Sequence, residues 1–174
     1  MTAQAAPRFT LADADRAHEE WGCNCGPASL AAICKLTLDE VRPHLGDFET
    51  KRYTNQTLMH FALNSIGVKW RKIDHREVLE YPFYGLCLVQ WEGPWSDPGV
   101  HPLAKYRYTH WIGVWRSIDV ASNGIGIFDV NCLNNGQGWG SLDNWSKIMV
   151  PHLTAQYKSA NGKWHIMHAI EVER

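Results

Sequence analysis

The chain has 174 residues, nine tryptophans, five cysteines and a formal net charge of −1, with its basic residues scattered. That length suits one ordinary domain with a real apolar core, and the charge balance argues against a nucleic-acid or acidic-membrane partner. No apolar run approaches the roughly 18 to 20 residues that cross a bilayer, and the opening MTAQAAPRFT lacks the layout of a signal peptide, so the expected setting is cytoplasmic.

Residues 1–9 are expected to be a flexible tail and 10–174 a single domain, because no repeat, linker or composition shift divides them. Helical patterning covers Leu11 to Glu20. Next comes NCGPASLAAI, Asn24 to Ile33. Gly26 and Pro27 suit the first turn of a helix, where the N–H that proline lacks would have no partner. The small aliphatic residues that follow suit a buried helix ending near Lys35. Cys25 therefore sits where unpaired N–H groups and the helix dipole favour thiolate over thiol.

Thr37-Leu38-Asp39-Glu40 is a capping box for a short helix to about Leu45. Thr54 is expected to cap another, with Leu58, Phe61, Ala62 and Ile66 on one face and Gly67 as its stop. The period then changes from helical to extended. Val68–Ile73, Gly85–Trp91, His110–Arg116, Gly124–Val130 and Lys163–Val172 are expected to be strands, with a short helix from Leu142 to Met149 before the last. Helices first and strands second predict an α+β fold, a helical half packed on a mostly antiparallel sheet.

The cysteines, Cys23, Cys25, Cys34, Cys87 and Cys132, are odd in number and irregularly spaced, unlike a disulfide framework. Cys23-x-Cys25 with His165-x-x-His168 does not have the spacing of a paired zinc motif. Neither metal nor cofactor is expected.

A thiolate nucleophile needs a base, and the base needs a group that fixes its ring. His110 opens the strand HWIGVW after a long polar loop, and the next strand, GIGIFDVN, ends in Asp129 and Asn131. If the two pair as a hairpin through a turn near Ser122–Gly124, the end of one lies beside the start of the other. Asp129 would then accept the His110 N–H, with Asn131, two residues on and on the same strand face, as the competing orienter. Trp91, Trp95 and Trp111 flank the loop and strand that lead to His110 and are expected to border the cleft. The tryptophans suit core and loop anchoring equally well. His60, His165 and His168 lie in elements where packing roles are the commoner use.

In order, NCGPASL, a helix ending in SIGV, the strand YPFYGLCLVQW, then HWIGVW and IFDVN resemble the papain-like cysteine peptidases of the bacteriocin-processing (double-glycine leader peptidase) type and their stand-alone relatives. The resemblance covers residues 10 to 172. It implies a papain-like fold, with Cys25 as nucleophile, His110 as base and Asp129 as the orienting acid, acting on a peptide or protein substrate. The family places an oxyanion-binding glutamine six residues before the nucleophile, and here that position is Glu19. An ionised carboxylate repels developing negative charge, which leaves His18 or the Asn24 side chain as other donors beside the Cys25 N–H. The expected function is cleavage of a peptide or amide bond. The alternatives are acyl transfer or deamidation by the same three residues, or a catalytically weakened binding module.

Overall fold

The computed structural model describes residues 8–22, 24–73, 81–101, 108–116, 124–135 and 138–173. Cys23 and most of the turn placed near Ser122–Gly124 lie outside them. Of the expected tail, residues 1–7 lie outside the described residues, while Phe9 is fully buried and Arg8 pairs with Glu40 at 2.6 Å.

Local chemistry sets the helical half. Helix α1 (Leu11–Trp21) opens on a Thr10–Asp13 capping box and stops at Gly22, whose φ of 72° suits a residue without a Cβ. Helix α2 (Cys25–Cys34) starts at the cysteine and ends at Lys35 in the left-handed conformation. Helix α3 (Leu38–Val41) has the Thr37–Glu40 box and runs into a 3-10 turn, Arg42–His44. A further short helix, α4 (Phe48–Lys51), has no sequence signature beyond Phe48, which packs edge-on against Trp21 at 5.0 Å.

Helix α5 (Gln56–Ile66) is capped by Asn55, not Thr54: the Asn55 side chain accepts from the Leu58 N–H at 2.8 Å. Its buried stripe runs through Leu58, Met59, Ala62 and Leu63, which turns Phe61 outward, contrary to expectation.

The strands are β1 (Trp70–Lys72), β2 (Tyr84–Trp91), β3 (Thr109–Arg116), β4 (Ile125–Phe128), β5 (Trp139–Ser141) and β6 (Trp164–Val172). They form one sheet in the order β1-β6-β2-β3-β4-β5, every neighbouring pair antiparallel. The α+β expectation holds. Three strand expectations differ: β1 is shorter, β5 was not foreseen, and β4 ends at Phe128 because Val130–Asn135 coils into a 3-10 helix. The expected helix at Leu142 also runs on, through a π-helical turn at Trp145–Met149, to Thr154.

Both faces of the sheet are covered. Leu86, Leu88, Trp111, Phe128 and Ile170 face the helices, while Cys87, Val89, Trp91, Ile112, Val114 and Ile127 pack with Trp145, Val150 and Leu153 on the other side. This explains why β2 is buried at every position: a central strand covered on both faces has no polar side to show.

Helix α2 is held close to β2 and β3. Gly113 makes the approach possible, since a Cβ there would lie 3.1 Å from Phe128 Cβ and 3.2 Å from Ile33 Cδ1. Two hydrogen bonds fix the helix in place. The Ser29 hydroxyl donates to the Trp111 carbonyl at 2.9 Å, and the Tyr84 hydroxyl to the Ile33 carbonyl at 2.7 Å.

Candidate active site

Cys25 is the first residue of α2, half-buried at the helix N-terminus. Asn24 does not cap that end with its side chain; its amide donates to the Ala14 carbonyl at 2.9 Å and ties α2 to α1. The first-turn N–H groups of Cys25 and Gly26 are thus left for the dipole end of the helix to present. Gly26 has no room for a side chain, because a Cβ would lie 2.3 Å from Thr54 Oγ1. That hydroxyl is buried and has no hydrogen-bond partner among the described residues.

The ladder between β3 and β4 brings the other two residues together. Gly113 lies opposite Phe128, so His110 near the start of β3 and Asp129 just beyond β4 meet at one end of the sheet. His110 Nε2 is 3.0 Å from Asp129 Oδ2. The ring N–H is poorly aimed at that oxygen, so the contact is chiefly one of charge. With Nε2 facing the carboxylate, Nδ1 is the ring nitrogen left for sulfur, and the imidazole lies close enough to Cys25 for each to shift the other's charge.

Asp129 is fully buried and held from several sides. Trp145 Nε1 donates to Oδ2 at 2.7 Å, and the Asn131 backbone N–H and side-chain amide donate to Oδ1 at 2.9 and 2.8 Å. The sequence-based role of Asn131 is therefore corrected: the 3-10 turn takes it off the strand face, and it orients the carboxylate. Trp91 stacks over His110 with ring centroids 5.7 Å apart and planes within 25°.

Electrostatics favour a charged pair. Burial pushes the Cys25 thiol up, but the His110 charge, the imidazole hydrogen bond and the Trp111 N–H outweigh it and bring the thiol below its ordinary range. For His110, burial acts to lower the pKa, yet the Asp129 and Cys25 charges raise it well above the ordinary imidazole value. Burial would raise Asp129 too; His110, Trp145 and Asn131 bring it down to about 2. The other described cysteines go the opposite way. Burial pushes Cys34 up to about 12, Cys132 up to about 11, and Cys87 up as well, as expected of packing thiols.

A cavity of about 600 Å³ opens on Cys25, lined by Asn24, Gly26, Thr54, Gln56 and Leu88 among others, with Trp111 in its wall. The Trp111 indole donates to the Thr54 carbonyl at 2.7 Å. Of the three tryptophans expected at the cleft, only Trp111 lines this cavity. Trp91 is core, 1% exposed, and half-buried Trp95 donates its indole N–H to the Trp91 carbonyl at 2.7 Å. Glu19 and His18 are exposed on α1 and outside the cavity wall.

His165 and His168 do not join Cys25. His165 Nδ1 is 3.0 Å from Glu92 Oε1, and His168 Nε2 is 2.9 Å from His60 Nε2. No group of three or more metal-ligating side chains is gathered among the described residues. Two partners of the site carried no sequence signal, Trp145 on Asp129 and Tyr157, whose hydroxyl neighbours the Trp91 indole.

Comparison with protein-family models, with curated proteins and with solved structures found no match.

Proposed function

We propose that the protein is a cysteine-dependent hydrolase of peptide or amide bonds, with Cys25 as nucleophile, His110 as general base and acid, and Asp129 as the group that holds the imidazolium. The observation that carries this reading is the convergence of the three side chains with opposed shifts, the thiol down and the imidazole up. A papain-like architecture accords with a nucleophile on a helix and its base on the facing antiparallel sheet.

In this scheme the Cys25 thiolate adds to the carbonyl carbon. The tetrahedral oxyanion meets the Cys25 N–H at the helix N-terminus. His110 gives its proton to the leaving nitrogen, the C–N bond breaks and a thioester remains. Water then adds to the thioester as His110 takes its proton, and the C–S bond breaks to release the acid and restore the thiolate–imidazolium pair.

Cys25→Ala supplies the test. Peptides incubated with the wild type should gain one water at each cut, seen as product mass, and none should be cut by the variant. Products that gain a second amine identify a transferase instead, and conversion of glutamine to glutamate identifies a deamidase.

A further inference from the structure

The large cavity accounts for one side of the sulfur. His110 is not in its wall, and on the His110 side the chain builds a second surface. Trp91 stacks on His110, and its indole neighbours the Tyr157 hydroxyl. Tyr157 meets Tyr108 with ring centroids 4.8 Å apart, and Tyr108 meets Trp95 at 4.4 Å. Trp95 returns to the Trp91 carbonyl, which closes a ring of aromatic residues beside the imidazole.

The cluster is anchored as well as closed. The Trp91 N–H donates to the Tyr108 carbonyl at 3.0 Å, and Tyr108 has a φ of 59°, so its backbone is pinned two residues before His110. Tyr108 is 39% exposed, whereas Trp95 and Tyr157 are half-buried. The Cys25 charge also reaches Tyr157, whose hydroxyl, raised first by burial, is raised further by it.

The direction of proton transfer decides what this surface meets. His110 protonates the departing nitrogen, so the leaving part of the substrate lies on the histidine side of the sulfur and the acyl part on the cavity side. We propose that Trp95, Tyr108 and Tyr157 form the subsite for the leaving part of the substrate, and that it takes an aromatic side chain on the amine released. This inference rests on the hydrolase reading given above. The rings are tilted by 53° and 49° to one another and do not form one flat platform. That presents ring edges and corners, the geometry in which a further aromatic ring packs edge-to-face. It also favours cleavage over deamidation, because ammonia would leave the surface unused.

A peptide library of mixed sequence, digested by the wild type and by Tyr108→Asn and analysed by mass spectrometry, tests this. Asparagine tolerates the left-handed conformation of that position. Alkylation of Cys25 by iodoacetamide at neutral pH reports separately on whether the thiolate is intact. We expect phenylalanine, tyrosine or tryptophan to follow the cut about tenfold more often than glycine or a charged residue in the wild type, and that preference to fall towards parity in Tyr108→Asn. A wild-type profile without aromatic preference overturns the inference whatever the variant does. An aromatic preference that persists in a folded Tyr108→Asn overturns it too. An uncut library with rapidly alkylated Cys25 overturns the hydrolase reading, and this inference with it.

Discussion

Ser29 donates its hydroxyl proton to the carbonyl of Trp111, 2.9 Å away and 82 residues further along the chain. Ser29 lies one turn after Cys25 on α2, and Trp111 follows His110 on β3. One buried hydrogen bond thus fixes the helix that carries sulfur to the strand that carries imidazole. Ser29→Ala should cost about 1 to 3 kcal/mol, because the Trp111 carbonyl is left buried without this partner. It should also slow Cys25 alkylation at neutral pH. Urea denaturation and alkylation rates measure the two effects, and an unchanged midpoint would count against this role for the bond.

The shifts of Cys25 and His110 set the pH dependence. The proposed hydrolysis needs thiolate and imidazolium together. The thiol loses its proton below the ordinary value of about 8.5, and the imidazole keeps its proton above the ordinary value of about 6.5. Activity should rise on an acid limb set by the first and fall on an alkaline limb set by the second, the two groups titrating as one pair. Alkylation should follow the acid limb alone. In His110→Ala burial and the Asp129 charge, which raise the thiol, are opposed only by the Trp111 N–H, so the midpoint of alkylation should move up to about 8.5 or beyond. An unmoved midpoint would show that the thiolate owes nothing to the imidazole.

Trp145 and Asp129 form the support beneath this pair. Trp145→Phe keeps an aromatic side chain but removes a buried hydrogen bond to a charged group, which should cost about 1.5 to 3 kcal/mol. Asp129→Ala breaks the buried pair and should cost more, about 3 to 5 kcal/mol. The sign of the pH effect follows from the lowered carboxyl. Its contribution is present above the unfolded value of about 3.9 and is lost as pH falls towards about 2. Stability measured from pH 6 down to pH 2 should therefore fall less steeply in Asp129→Asn than in the wild type.

Glu19 is exposed on α1, away from the cavity wall. Glu19→Gln should leave turnover within about twofold of wild type, as surface changes far from a site do. A gain of about tenfold or more would mean that this side chain reaches the oxyanion after all, since one donor is worth about 3 kcal/mol.

The parts of the fold legible in the sequence are those with long-period signals. The proline in the first turn of the Cys25 helix and the extended apolar run HWIGVW after a polar loop placed both elements within a residue or two. The hairpin logic that set Asp129 beside His110 needed only antiparallel pairing, and the β3–β4 register supplies it. Short elements were not legible. Helix α4 and strand β5 have four and three residues, too few for either period to emerge, and their positions come from tertiary contacts.

Contacts across the sheet were invisible for a related reason. Nothing in the stretch SLDNW marks Trp145 as the partner of a carboxylate sixteen residues earlier. Asn131 was expected from strand periodicity, and the 3-10 turn gave it another role. Thr54 and Asn55 are equally good caps by residue type. The cavity wall needs Thr54, whose carbonyl binds Trp111, and Asn55 takes the helix end.

Sulfur belongs to the early helical layer, while imidazole and carboxylate come from the later sheet. Neither layer holds all three side chains, so Cys25 has its lowered pKa only once the two have docked and returns to an ordinary thiol if their seam parts. The reactivity of one thiol therefore gauges tertiary assembly. Any agent that pries helix from sheet by an ångström or two should return its alkylation to that of an ordinary thiol well before bulk unfolding is seen.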